Sequence, residues 1–410
     1  MKKAGINEEN LNRHLVKLAQ EIGQRPPGSP GNRQAVEYAA ATLQALGWNT
    51  QLDAFDCIDW EHGPVRLQAA GRSYAAHVSP YSPGCEATAE LVTAATSQEL
   101  EAAHVQNRIL LITGELAKEQ IMPKNFAFYN PEEHRQFIER LEKQQPRAII
   151  CATGPGTGLS SGLDPFPVFE DGDFHIPSVY MKEADAKSLM EHQGREITLV
   201  FDSRRIPATG HNLVARKKGR GAGRIILCAH IDTKKNTPGA LDNATGVAVL
   251  LTLAETLQAF SGEHDLELIA FNGEDYYAVP GQMLYLRQHP EGFKDVKLVI
   301  NIDGVGHRDS LTSLSFYNLP ESQISEIMAT AGSFPTLVRG EEWYEGDHSI
   351  FLQQGIPCMA ITSSNVRDVV MAVSHTPEDT LDKVKPDLLE ELTIFLAQVV
   401  SEMNAGGVKK

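Results

Sequence analysis

Two histidines and five acids in the C-terminal half of this chain are spaced in a way that suits metal chemistry. His230 and Asp232 follow the apolar run Ile225, Ile226, Leu227, which is too short for a helix and reads as a strand buried on both faces. Asp242 stands in a Pro-Gly-rich loop just ahead of Val247, Leu250, Leu251, Ala254 and Leu257, whose spacing predicts a helix. A second strand candidate runs into Glu274 and Asp275, a third into Asp303, and His375 lies in a loop before the last helix. Singly, each has an ordinary structural explanation: an aspartate before a helix is usually its cap, and an acidic pair is usually a solvated turn. Together they would require independent coincidences at one edge of one sheet, and a metal site is the simpler reading.

Imidazole and carboxylate donors without a thiolate suit zinc, and also manganese or cobalt. One acid can bridge two cations that are each further held by a histidine and a carboxylate. Two such ions, about 3.5–4 Å apart, polarise a carbonyl while generating the nucleophile. Glu274, beside a candidate ligand but free itself, reads as the general base.

The elements that must carry these residues alternate strand and helix from His211 onward, which predicts a mostly parallel sheet wrapped by helices. Strands are expected at 213–216, 224–229, 266–271, 298–302, 313–317 and 357–362, with helices near 244–260, 281–289, 321–331, 347–354 and 387–403. In open sheets of this kind ligands gather beyond the carboxyl ends of the strands. Two amphipathic helices, 8–22 and 31–46, flank the rigid turn RPPGSPG, and short strands fill 48–83. Residues 84–205 change texture: strand candidates at 108–114, 147–152, 176–181 and 197–202, helices at 131–144 and 183–192, and a Gly-rich loop at 154–162 form a small α/β unit with no paired histidine and carboxylate at its strand ends. The expected division is therefore a main α/β domain of residues 1–83 and 206–410 with an inserted domain of 84–205.

Composition narrows the partners. At 410 residues the chain is long for one core, and 42% hydrophobic with 22% charged residues is ordinary globular usage. The net charge of −16 argues against nucleic acid and anionic membranes. No apolar run approaches the roughly 20 residues of a membrane span. The start, MKKAGINEENLNRHL, lacks the apolar core of a signal peptide, so a cytoplasmic setting is expected. Cys57, Cys85, Cys151, Cys228 and Cys358 lack CxxC spacing and are expected to be free thiols. Oligomeric state is not legible.

Five blocks carry a resemblance: His230-Ile-Asp232, Gly239-Ala-Leu-Asp242-Asn-Ala-Thr-Gly246, Glu274-Asp275, Asn301-Ile-Asp303-Gly and Ser374-His375-Thr-Pro-Glu-Asp379-Thr. In order and spacing they resemble the signature blocks of zinc peptidase family twenty-eight, with Arg25–Gly31 matching a further turn of that family; the likeness spans 8–47 and 206–405. The resemblance implies a di-zinc exopeptidase, foremost an aminopeptidase acting on peptides. His230, Asp242 and Asp303 would hold one zinc, and Asp242, Asp275 and His375 the other. Asp232 would orient His230, Glu274 would shuttle the proton, and the Asp242–Asn243 peptide would be cis. The insert would be similar to a protease-associated domain bordering the substrate cleft. Tyr344, Asp347 and His348 fall where relatives line that cleft, though a structural role suits them equally. Asp275 stands in place of the usual second glutamate, and Tyr276–Gln282 replaces the usual glycine-rich segment, so side-chain preference is not implied.

The same metal set also serves carboxypeptidases, dipeptidases and zinc deacylases. The related dimeric deacylase family, however, places its extra domain after the fourth ligand, whereas the insert here precedes His230. A receptor-like member would lack ligands, and none is missing.

Overall fold

The buried runs predicted from His211 onward do form strands, and their ladder is the frame of the molecule. In the computed structural model, which describes residues 8–156 and 160–404, the main sheet has eight strands in the order Asn49–His62, Ser203–Lys217, Asp265–Phe271, Arg224–His230, Val296–Ile302, Cys358–Ser363, Thr312–Tyr317 and Leu337–Arg339. The four central strands, from Asp265–Phe271 to Cys358–Ser363, are mutually parallel, while Ser203–Lys217 and Thr312–Tyr317 pair antiparallel on either side of them. Ile225, Ile226, Leu227 and Cys228 are fully buried, as a strand covered on both faces requires.

Helix Thr245–Thr256 packs on strand Arg224–His230, on the N-terminal helix Glu8–Leu15 and on the last helix, Pro386–Asn404. Its first ten residues are all buried, so it is apolar on every face rather than along one stripe. Helix Pro30–Ala45 begins where the sequence says it should: Ser29 accepts the Asn32 N–H at 3.1 Å and proline occupies the first turn. Truncating a central core side chain such as Leu227 to alanine should cost about 2–5 kcal/mol.

The chain divides into two compact units, one of residues 1–57, 209–369 and 373–410, the other of 58–208 and 370–372. The first division thus falls at Cys57/Ile58 and not at 83/84: the short strands Arg66–Ala69, Arg72–Tyr74 and His77–Val78 belong to the second unit's own sheet. The reason is register, since Arg66–Ala69 pairs with Glu196–Phe201, a partner that local sequence does not reveal. That sheet runs Arg72–Tyr74, Arg66–Ala69, Glu196–Phe201, Cys85–Ala94, Ile109–Ile112, Ala148–Thr153, Ser178–Lys182, His77–Val78, with helices Ser97–Ala102, Glu132–Gln144 and Glu183–Met190.

Among the described residues, elements not expected include strand Cys85–Ala94, strand Leu337–Arg339 and the short helices Ser97–Ala102 and Val366–Ala372. Cys85–Ala94 is rich in alanine and glutamate, residues of low strand propensity, and is held by pairing on both sides. All five cysteines are buried, and none forms a disulfide among the described residues. No described helix is long and apolar enough to cross a membrane. The first seven residues of the N-terminal stretch, and residues 157–159 of the Gly-rich loop, lie outside the described residues.

Candidate metal centre

His230 is the last residue of its strand, and the parallel register lays Phe271 beside it and Asn301 beside Cys228. The turns that follow the two neighbouring strands therefore deliver Glu274, Asp275 and Asp303 to the same edge. Asp242 comes from the loop ahead of helix Thr245–Thr256, and His375 from the segment after helix Val366–Ala372. His230 is 1% exposed and Asp275 8%.

The two oxygens of Asp242 face two different histidines. Oδ1 lies 3.1 Å from His230 Nε2 and Oδ2 lies 3.2 Å from His375 Nε2. Each imidazole has a second carboxylate: Asp303 Oδ1 is 3.4 Å from His230 Nε2, and Asp275 Oδ1 is 2.8 Å from His375 Nε2. All five expected ligand residues thus meet, in two histidine–carboxylate sets joined by one aspartate. His230, Asp242 and Asp275 offer ligand atoms within 4.8 Å of one another. The Asp242–Asn243 peptide is cis.

The electrostatics of the cluster favour positive charge. Burial alone would lower the basicity of His230 and His375, yet the surrounding carboxylates, Asp303 for the first and Asp275 for the second, hold both well above the ordinary histidine range. Burial would raise Asp242, but its bonds to the two histidines bring it well below the usual carboxylate range. A cluster that draws protons onto both imidazoles is one that calls for positive charge, and divalent cations supply it. Buried Asp275 Oδ2 has no hydrogen-bond partner. With nitrogen and oxygen donors and no cysteine among them, the residues fit zinc, manganese or cobalt.

Glu274 has no such histidine partner. Burial raises its carboxyl well above the ordinary value, and Asp275, Asp303 and Asp347 add to the effect against the pull of His230.

Asp232 is fully buried and does something more than expected. Its Oδ1 lies 3.7 Å from His230 Nδ1, beyond hydrogen-bond reach, and that nitrogen has no partner. The carboxylate instead accepts three backbone N–H groups: Gly273 at 2.7 Å and Glu274 at 3.2 Å on Oδ1, and Asp275 at 3.1 Å on Oδ2. It pins the turn that carries both acids.

The three residues expected near a substrate pocket separate. Tyr344 is 59% exposed and donates to Glu342 at 2.6 Å. His348 is buried, with Nε2 3.0 Å from the Trp343 carbonyl, a structural placement. Asp347 is buried and accepts from Gln282 Nε2 at 2.7 Å. Burial pushes its carboxyl up to about 7, and the charges of His230 and Asp303 act on it, so it belongs to the surroundings of the cluster. Sequence reasoning missed Lys234, whose Nζ donates to the Asp275 carbonyl at 2.5 Å, and the roles of Arg25 and Asp379.

Residues 212–400 match the model of Peptidase family M28. The chain is similar to Aminopeptidase YwaD of Bacillus subtilis (strain 168), at 21% identity over 403 residues, covering 95% of this chain and 83% of that protein. Among solved structures it is similar to an aminopeptidase from Aneurinibacillus sp. strain AM-1, with TM-score 0.76, 22% identity, and 97% and 94% of the two chains covered. It is also similar to BSAP, a zinc aminopeptidase from Bacillus subtilis, with TM-score 0.74, 20% identity, and 98% and 96% covered. These structural likenesses bear out the α/β fold.

Proposed function

We propose that the protein is a metallo-exopeptidase, specifically an aminopeptidase that removes N-terminal residues from peptides at a two-metal centre. The observation that carries this reading is the division of Asp242: its two oxygens serve two separate histidine–carboxylate sets. His230, Asp242 and Asp303 would hold one ion, and Asp242, Asp275 and His375 the other. Zinc is favoured by the donor chemistry and by the zinc aminopeptidase named among the similar structures, with manganese or cobalt as substitutes. When bound, the pair supplies Lewis acidity to the scissile carbonyl and makes the attacking water acidic.

The protein's own residues do the rest. Glu274 takes a proton from the attacking water as its oxygen bonds to the carbonyl carbon, and returns that proton to the departing amine nitrogen as the C–N bond breaks. The raised affinity of its buried carboxyl suits both transfers. Asp232 holds Glu274 and Asp275 in place through their N–H groups. The second unit, with its own sheet, supports the reading as a protease-associated-like domain and would supply no metal ligand. Five buried cysteines outside any disulfide support a cytoplasmic setting.

The test is hydrolysis of aminoacyl-anilides and short peptides by zinc-loaded protein, with free and with acetylated N-termini. An aminopeptidase cleaves only the free amines. Cleavage confined to acylated substrates or to C-terminal residues would favour a deacylase or carboxypeptidase on the same centre, and no cleavage of any would favour a non-catalytic member.

A further inference from the structure

Two buried side chains, a guanidinium and a carboxyl, grip the backbone on the two sides of the Asp242 loop. Arg25 is 1% exposed, and its guanidinium donates to carbonyls only: Ile231 at 2.9 Å, Leu18 at 2.9 Å, Gly23 at 2.7 Å, Pro238 at 2.9 Å and Gly239 at 2.9 Å. Three of these carbonyls bracket the segment between His230 and Asp242. The fork is thereby spent on main chain rather than on a carboxylate, although burial brings the guanidinium only down to about 10, leaving it cationic at neutral pH.

Asp379 is fully buried and takes the N–H groups that follow. Oδ1 accepts from Leu241 at 2.7 Å, Oδ2 from Asp242 at 3.1 Å, and its own carbonyl accepts from Ala240 at 3.2 Å. Arg25 and Asp379 together account for Pro238 and Gly239 through their carbonyls and for 240–242 through their N–H groups. The fit is close at Gly239, which has φ +63: a Cβ there would meet Thr233 Cγ2 at 2.1 Å and Arg25 Nη2 at 3.0 Å. Asn243 Nδ2 fixes the far side by donating to the Ile302 carbonyl at 2.9 Å, one residue from Asp303.

We propose that Arg25 and Asp379 are a pair of positioning residues that lock the peptide units on either side of Asp242 and so aim its two carboxylate oxygens at separate partners. This rests on the two-metal reading above. A loop free to rotate would let Asp242 serve one histidine at a time, and fixing each residue costs about 1–2 kcal/mol of conformational entropy. Hydrogen bonds to charged groups, at about 1.5–3 kcal/mol each, offset it. Because the bonds from Arg25 and Asp379 are made by the protein's own groups, they would shape the loop independently of the ions, and each ion need not itself order the chain.

The experiment is a thermodynamic cycle on zinc affinity, measured by competition with a chromogenic chelator. The proteins are wild type, Asp379→Asn, Arg25→Lys, Asp242→Asn and the doubles Asp379→Asn/Asp242→Asn and Arg25→Lys/Asp242→Asn. Asparagine keeps one acceptor for the loop and lysine keeps the charge without the fork, so both are mild changes. With Asp242 intact, each should weaken zinc binding by about 10–100-fold, as loss of a ligand's support does. In the Asp242→Asn background the effect should vanish, because the bridging carboxylate it serves is gone. A merely structural role would lower affinity equally in both backgrounds, and that result, or zinc affinity within twofold of wild type in both single variants, overturns the proposal. If a variant does not fold without metal, the same cycle is read from the zinc-dependent gain in urea midpoint. Wild-type protein that binds no zinc would instead sink the two-metal reading, which separates the two failures.

Discussion

Asp232→Asn is the substitution whose cost the structure specifies most fully. The carboxylate is 0% exposed and accepts the N–H groups of Gly273, Glu274 and Asp275. An asparagine of the same shape can keep its oxygen on Gly273 and Glu274, but its NH2 then faces the Asp275 N–H, donor against donor. Two charge-assisted bonds become neutral ones, and one buried N–H loses its acceptor at about 1–3 kcal/mol, for a total of about 2–4 kcal/mol. Urea unfolding of metal-free protein measures the total. Hydrogen exchange of a peptide spanning 272–277 locates it, and that segment should exchange faster in the variant while strand 224–230 is unchanged. If stability stays within about 0.5 kcal/mol of wild type and exchange in 272–277 is unaltered, the anchoring role is wrong. Asp232 would then act chiefly on His230, which it approaches at 3.7 Å.

Three further outcomes are expected. Glu274→Gln should retain bound metal but lose about 10²–10⁴-fold in kcat, the usual contribution of a general base, and substantial turnover by metal-saturated variant would remove Glu274 from that role. His14 is fully buried; burial first, and then the Arg13 charge, lowers it from the usual histidine value of 6.5 to about 4. The unfolded chain then binds the extra proton between those values, so stability is present above pH 6.5 and falls, by about 3 kcal/mol, as pH drops toward 4. Metal-free His14→Gln protein should lack that part of the slope, and identical slopes would contradict it. Gly239→Ala should cost at least about 1–3 kcal/mol from its positive φ alone, before the collision with Thr233, and thermal melting within a degree of wild type would show that the loop relaxes freely.

The legibility of this chain in sequence follows from the range of the interactions concerned. Buried strands such as Arg224–His230 announce themselves through local apolar runs, and the ligand residues stand at their ends because parallel topology sends every such end to one edge. Strand Cys85–Ala94 did not, since its partners and not its composition make it a strand. The unit boundary at 57/58 was hidden for the same reason. Within the site, the candidate ligands stood out because His, Asp and Glu are chemically marked. Arg25 was legible only as part of a Pro-Gly turn, and Asp379 only as a member of a block, because both bind backbone groups that every residue possesses. The pairing of Leu241 with Asp379 spans 138 positions, and nothing in either neighbourhood points to the other.

The central claim is that Asp242 joins two metal ions in one catalytic centre. Stepwise addition of zinc to metal-free protein, following hydrolysis of a leucyl-anilide after each step, tests it most directly. Activity should reach its plateau at two ions per chain, and the same titration of Asp242→Asn should give no plateau in that range. Full activity at one ion per chain, or an Asp242→Asn protein that reaches wild-type turnover at two, would contradict the account.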